Sequence, residues 1–223
     1  MSVYAVSDLH GYLKNYKKIK KILQKDDMVY CLGDCGDRGP EPWKTVKSVY
    51  EDPQFIYLKG NHEDMLVKAL KEQNGSLRNT GRFQRMLMRN GGWETLEELM
   101  EEGKAKELEW LEKLENLPFV AIYKNIILCH AGLTWEGEDN FSEEQLLWNR
   151  EHYFDSSAIH KDFIVVHGHT PMQHLAGDLG ECSNGLEAYK YCNGKKYCID
   201  AWTYRTGNTI LFNLDTFESI LIN

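Results

Sequence analysis

The sequence predicts an α/β fold: a parallel sheet with covering helices, joined in the same domain by a second, antiparallel sheet. Three observations predict it. Up to Leu58, short apolar runs alternate with longer amphipathic stretches, the order of consecutive strand–helix–strand units. A strongly helical stretch follows. The remainder returns to short apolar runs separated by turn residues, the pattern of strands in hairpins.

Val3 to Val6 reads as the first strand. Leu13 to Gln24 places Leu13, Tyr16, Ile19 and Leu23 near helical spacing, so it reads as an amphipathic helix. Met28 to Leu32 is the second strand. Pro42 to Tyr50 is a helix with proline in its first turn, where the missing N–H does no harm. Gln54 to Leu58 is the third strand. His62 to Lys71, Arg82 to Arg89, Trp93 to Glu102 and Lys104 to Leu114 read as helices, divided by Gly91-Gly92 and Gly103. Strands resume at Phe119 to Tyr123, Ile126 to Cys129 and Phe163 to Val166. Tyr197 to Asp200, Thr209 to Leu214 and Phe217 to Ile222 are the closing strands, with Gly194, Gly207 and Asn208 at turns. Residues 1–223 are therefore read as one domain carrying a helical insertion over roughly residues 62–116. The acidic stretch from Glu94 to Glu115 is a solvated helix face.

At 223 residues the chain is long enough to bury a sizeable core, and 42% hydrophobic with 27% charged residues is an ordinary globular balance. The net charge of −8 argues against broad nucleic-acid binding. No stretch approaches membrane-spanning length, and no secretory signal is visible, so the expected compartment is the cytoplasm and no membrane partner is expected. Six cysteines at 31, 35, 129, 182, 192 and 198 form no CxxC pair. Cys31 and Cys129 read as buried thiols. Reduced thiols are expected for Cys182, Cys192 and Cys198, although their clustering leaves a local disulfide or metal site open.

Five strands end in Asp, Asn or His with glycine close by. The first leads into Asp8-Leu9-His10-Gly11, where residues two apart point to one side. The second leads into Gly33-Asp34-Cys35-Gly36-Asp37-Arg38-Gly39, the third into Gly60-Asn61-His62-Glu63. Cys129 is followed by His130-Ala131-Gly132, and Val166 by His167-Gly168-His169. A single such ending is weak evidence; five are hard to explain as core packing. Ligands of open α/β sheets bind beyond the carboxyl ends of the strands. The donors are nitrogen and oxygen without thiolate, which suits manganese, iron or zinc. They are too many for one ion; two ions bridged by one carboxylate would use them all, and such pairs promote attack of water on a phosphoryl group.

The ordered blocks DLHG, GDCGDRG, GNHE, CHAGL and GHTP resemble the phosphoprotein phosphatase (PPP) type of metallophosphoesterase. The likeness is greatest to the small phage and bacterial serine/threonine protein phosphatases of the bacteriophage lambda type. Gly91-Gly92-Trp93, Trp148-Asn149-Arg150-Glu151 and Tyr197 to Asp200 add to it, so it spans nearly the whole chain. The resemblance implies a calcineurin-like sandwich of two mixed β-sheets flanked by helices. It implies two divalent metal ions: Asp8, His10 and Asp34 at the first, Asp34, Asn61, His130 and His169 at the second. Arg38 and Arg150 would grip phosphate oxygens, a task suited to planar guanidinium groups. His62 would be the general acid, oriented by Asp37. The implied activity is hydrolysis of phosphoserine or phosphothreonine in proteins by direct attack of a metal-bridging hydroxide. The same blocks occur in enzymes that cleave diadenosine tetraphosphate. A non-catalytic, metal-dependent module that binds phosphoproteins is the reading of another class.

Plainer readings stand beside these. Arg38 could simply pair with a neighbouring carboxylate, and Arg150 could be a solvated surface residue. His167 reads as a packing residue behind His169; His152, His160 and His174 read as surface histidines, and Cys35 as a small gap-filler. Ser7 stands where the first block usually has glycine. Ala201-Trp202 brings bulk to where small residues are usual, and could reshape the substrate rim. No counterpart is placed for the active-site tyrosine of eukaryotic members. The segment 177–196 has no family match and is expected as a loop over the site.

Overall fold

The computed structural model describes residues 1–72, 81–133, 141–151 and 162–223. Strand β1 (Val3–Val6) pairs in parallel with β2 (Met28–Cys31), and β2 with β3 (Phe55–Tyr57). The crossovers are α1 (Leu13–Ile22) and α2 (Pro42–Glu51). The other side of β1 pairs antiparallel with β9 (Thr209–Asn213), which carries β10 (Ser219–Ile222) at the edge. The first sheet is thus ordered β10-β9-β1-β2-β3. The residues of β1 divide between two cores, as alternating side chains must. Val6 joins the core shared with the helices, while Val3 and Ala5 join a second core with Leu128, Val166 and Phe212.

After β3 come α3 (Asn61–Glu72), α4 (Arg82–Arg89), α5 (Trp93–Glu101) and α6 (Lys104–Glu115). The second sheet then forms from β4 (Val120–Tyr123), β5 (Ile126–Cys129), β6 (Ile164–His167), β7 (Tyr189–Tyr191) and β8 (Lys196–Cys198), ordered β4-β5-β6-β8-β7. Helix α7 (Glu143–Trp148) precedes β6, α8 (Met172–Asp178) follows it, and α9 (Thr203–Thr206) leads into β9.

Two mixed sheets flanked by helices are the architecture that the family resemblance implies. The purely antiparallel second sheet expected from hydrophobic runs is corrected: β5, β6 and β8 are parallel neighbours. The closing hairpin β9–β10 belongs to the first sheet. Parallel neighbours need crossover connections. Here these contain α7 and α8, of six and seven residues, too short to leave a strong periodic signal.

The helical stretch is docked by aromatic packing. Trp110 of α6 is buried and meets Trp43 of α2 edge-to-face at 4.8 Å and Tyr50 at 5.2 Å. The Trp43 indole N–H donates to Glu102 at 2.9 Å. No helix among the described residues is long and apolar enough to cross a membrane. All six cysteines are free thiols; Cys182 is exposed and Cys192 half-buried. Replacing Trp110 by alanine leaves a cavity between α2 and α6 and should destabilise the chain by about 3–5 kcal/mol in urea unfolding. A loss under about 1 kcal/mol would mean that α6 is not part of the cooperative core.

Candidate active site

The site gathers at the carboxyl ends of strands from both sheets. β1 delivers Asp8 and His10, β2 delivers Asp34, Asp37 and Arg38, β3 delivers Asn61 and His62, β5 delivers His130, and β6 delivers His169. Six of these residues have left-handed backbone: Asp8 (φ 54°), His10 (42°), Asp34 (56°), Asp37 (66°), Arg38 (65°) and His169 (67°). Aspartate and histidine adopt this region more readily than most residues. The turns are tied together by backbone hydrogen bonds: Asp8 N–H donates to Gly33 O (3.1 Å), His10 N–H to Asp34 O (2.9 Å) and Gly168 N–H to His130 O (2.8 Å). Glycine is required where side chains press on these turns. A Cβ on Gly60 would collide with Asp34, and one on Gly168 with Ser7 and Asp8.

The fully buried carboxylate of Asp34 is shared by two groups of donors. Ligand atoms of His10, Asp34 and His62 lie within 4.8 Å of one another, and so do those of Asp34, His130 and His169. His130 Nε2 is 3.4 Å from Asp34 Oδ2, and His10 Nε2 is 3.9 Å from it. Asp8 Oδ1 lies 3.8 Å from His10 Nε2, which brings Asp8 to the first group. Asn61 Oδ1 lies 2.8 Å from His130 Nε2 and 2.9 Å from His169 Nδ1, which brings Asn61 to the second.

These groups fit cations on three counts. Backbone carbonyls hold the far ring nitrogens: His10 Nδ1 is 3.1 Å from Gly36 O, and His130 Nδ1 is 2.8 Å from Leu32 O. Each Nδ1 donates there, so the Nε2 lone pair points inward, the orientation of a metal-ligating histidine. Around the second group, Asn61 Oδ1, His130 Nε2 and His169 Nδ1 converge, with 3.2 Å between the two ring nitrogens. Acceptors packed this closely call for positive charge among them. Finally, burial opposes a charged His130, yet Asp34 and Asp8 push its pKa up to about 10, so the buried carboxylates favour a cation at that point.

Beside the donors, His62 Nδ1 meets Asp37 Oδ2 at 2.5 Å. Burial lowers the His62 pKa, but the charges of Asp34 and Asp37 outweigh burial and raise it above the ordinary value. His62 Nε2 is buried without a hydrogen-bond partner and lies 3.8 Å from Asp34 Oδ2. It reaches a cleft of about 120 Å³ lined also by Arg38, Arg150, Trp148, Pro171, Asp200 and Tyr204. Arg38 donates from Nη1 to His10 Nε2 at 2.9 Å and from Nε to Asn90 O at 3.2 Å, with its guanidinium 4.7 Å over the Tyr204 ring. The cleft therefore joins two arginines, a proton-bearing histidine and the shared carboxylate.

All ten residues singled out in the sequence converge here. Four further residues contribute. Glu63 is buried, and its carboxylate accepts from the N–H groups of Asp34 (2.8 Å), Cys35 (3.0 Å) and Gly60 (2.9 Å) and from Tyr57 O–H (2.7 Å). Its place inside GNHE was a usable signal. Tyr204 lies in α9, whose four residues are too few to mark a periodicity. Asp200 is buried, with its pKa driven up first by burial and then by the charge of Asp8. Thr95 contacts Asp37 from α5. Ser7 donates from Oγ to Asp8 Oδ2, which gives the serine a use in place of glycine.

Other expectations shift. Trp202 stands in left-handed backbone (φ 64°) and turns to His174, with ring centres 4.5 Å apart, so Tyr204 lines the cleft in its stead. The segment 177–196 does not line the cleft; Cys182 to Asn184 and Glu187 to Lys190 border a separate groove with Phe217 and β10. Tyr189–Tyr191 forms an edge strand there, so the segment is tied to the sheet and does not cover the site. His167 is buried against the Tyr191 hydroxyl (2.7 Å). His152 and His160 lie outside the described residues.

Comparison with known proteins agrees with this geometry. The family model for calcineurin-like phosphoesterases matches residues 1–209. Serine/threonine-protein phosphatase 2 of Escherichia coli is 26% identical over 156 residues, 66% of each chain. The asymmetrical bis(5'-nucleosyl)-tetraphosphatase PrpE of Anoxybacillus flavithermus is 23% identical over 203 residues, 75% of this chain and 78% of that one. A symmetrical bis(5'-nucleosyl)-tetraphosphatase of Wigglesworthia glossinidia brevipalpis is 27% identical, and the match spans only 48% of its length. Among solved structures, a metallophosphoesterase from Sphaerobacter thermophilus superposes with a TM-score of 0.61 at 19% identity, covering 99% of this chain and 86% of that one. With the family model matched over most of its length and the donors assembled at the strand ends, the chain belongs to the calcineurin-like phosphoesterase family.

Proposed function

We propose that this metallophosphoesterase is a serine/threonine protein phosphatase, active with two divalent ions, manganese foremost and iron or zinc as alternatives. The observation that carries the reading is the buried Asp34 carboxylate, shared by two donor groups at the floor of a cleft that holds Arg38, Arg150 and His62. Asp8, His10 and Asp34 would hold one ion; Asp34, Asn61, His130 and His169 would hold the other. When bound, the pair would supply Lewis-acid chemistry, offsetting phosphoryl charge and making water a better nucleophile.

The chain's own residues do the rest. Arg38 and Arg150 bind and orient the phosphate dianion through planar N–H forks. Arg38 is held for this by Asn90 O and the Tyr204 ring. His62 keeps its Nδ1 proton on Asp37 and presents Nε2 to the cleft. As the bond between phosphorus and the serine oxygen breaks, a proton passes from Nε2 to that oxygen, sparing release of a free alkoxide. The small cleft takes the phosphoryl group, so the protein part of the substrate rests on the rim. A net charge of −8 opposes polyanionic ligands at long range, which supports a phosphoprotein over a dinucleoside tetraphosphate.

The second reading, dinucleoside polyphosphate hydrolysis, is favoured by the PrpE match across three quarters of both chains. A paired assay separates the two. Chelator-stripped protein restored with manganese is given a phosphoserine peptide and, separately, diadenosine tetraphosphate. Faster turnover of the peptide is expected. Preference for the nucleotide would transfer the same mechanism to the second reading, and metal binding without turnover of either would leave a phosphoprotein-binding module.

Two substitutions test the roles. Asp34→Asn should lower kcat on the order of 10³-fold, since several kcal/mol of charge stabilisation pass through that carboxylate. His62→Asn should lower kcat by roughly 10²–10⁴-fold while manganese affinity in calorimetry changes little. Near-normal turnover of either purified variant would remove that residue from the mechanism.

A further inference from the structure

Thr95 sits in the first turn of α5 and is buried beside the dyad it does not belong to. Its hydroxyl donates to Asp37 Oδ1 and accepts from Asp37 N–H at 3.1 Å. The other oxygen of the same carboxylate, Oδ2, meets His62 Nδ1. One hydroxyl thus grips Asp37 at two points and fixes the plane of its carboxylate. The surroundings leave that residue few other holds. Asp37 is buried and has left-handed backbone, and Gly92, just before α5, approaches so closely that a Cβ there would press on Oδ2. The neighbouring Arg38 is held by the same helical stretch, through its N–H to Gly91 O at 2.9 Å and its Nε to Asn90 O at 3.2 Å.

We propose that Thr95 is a positioning residue for proton donation: it sets the Asp37 carboxylate so that His62 holds its Nδ1 proton there and aims Nε2 at the leaving oxygen. The inference rests on the reading of His62 as the acid. It makes the helical stretch part of the active site, since α5 supplies a group that the sheet loops lack. The effect must depend on the leaving group. A serine oxygen needs the proton; a nitrophenolate is stable as the anion and does not.

The test compares Thr95→Val, which keeps the shape and removes the hydroxyl, with Thr95→Ser, which keeps the hydroxyl. Turnover of a phosphoserine peptide and of p-nitrophenyl phosphate is measured with manganese. Thr95→Val should lose about 10-fold or more in kcat on the peptide with little change in KM, about 3-fold or less on the aryl ester, and Thr95→Ser should recover most of the loss. Equal losses on both substrates, or none on either, would overturn the role. A second readout needs no turnover. The Nδ1 proton of His62 should give a downfield proton resonance in the NMR spectrum, assigned by its absence in His62→Asn. Loss or broadening of that signal in Thr95→Val and retention in Thr95→Ser would support the inference; an unchanged signal in Thr95→Val would overturn it. Wild-type protein that turns over neither ester would refute the phosphatase reading, while the resonance would still decide whether Thr95 orients the pair.

Discussion

The buried charge of Asp34 is the constraint around which the rest is arranged. A carboxylate removed from water is costly unless paired and hydrogen-bonded. Asp34 meets both needs. The His62 N–H donates to its Oδ1 at 3.0 Å, and His10, His62 and His130 face its Oδ2 within 4 Å. His130 and His62 hold its pKa well below the carboxylate range against the opposing effect of burial. The loop that carries Asp34 is held in turn by Glu63, whose two oxygens take three backbone N–H groups and a tyrosine hydroxyl. Glu63 therefore ties the ends of β2 and β3 to each other, and Asp34 inherits its position from that tie.

This arrangement requires backbone that most loops avoid. Six site residues sit at positive φ, where a non-glycine residue costs of order 1–3 kcal/mol. Five of the six are aspartate or histidine, which bear the conformation best. Arg38 is the exception, and its N–H, like that of Asp37, is anchored outside the sheet loops: Arg38 on Gly91 O and Asp37 on the Thr95 hydroxyl. The helical stretch and the strand loops are thus mutually dependent. The sandwich adds the remaining requirement: β5 and β6 of the second sheet bring His130 and His169 to the ends of β1, β2 and β3 in the first.

Much of this was readable in the sequence, for identifiable reasons. Parallel β1, β2 and β3 showed as apolar runs because both faces of each are covered. The donors showed because Asp, Asn and His at strand ends have no packing explanation. What could not be read depends on partners distant in sequence. Periodicity identifies β5, β6 and β8 as strands but not as parallel neighbours. Glu63 was visible as a letter in a motif, yet its role as a brace depends on where three backbone N–H groups converge. Trp202 and Tyr204 are two residues apart at the start of α9, and only the left-handed turn at Trp202 decides that one faces His174 and the other the cleft.

The same division explains why the motifs identify the chemistry better than the substrate. Asp34, Asn61 and His169 among the donors, both arginines and the acid line a cleft of about 120 Å³, while a site that encloses a drug-sized ligand usually offers roughly 300–1,000 Å³. The enclosed part therefore recognises a phosphoryl group and little beyond it. Whatever distinguishes a phosphoprotein from a nucleotide must act on the rim, where Trp148, Pro171 and Tyr204 stand. Rim residues hold no ion and brace no buried charge. Tyr204 also carries the Arg38 guanidinium on its ring, but Trp148 and Pro171 can change without disturbing Asp34, so relatives with different substrates can keep the same blocks at their strand ends.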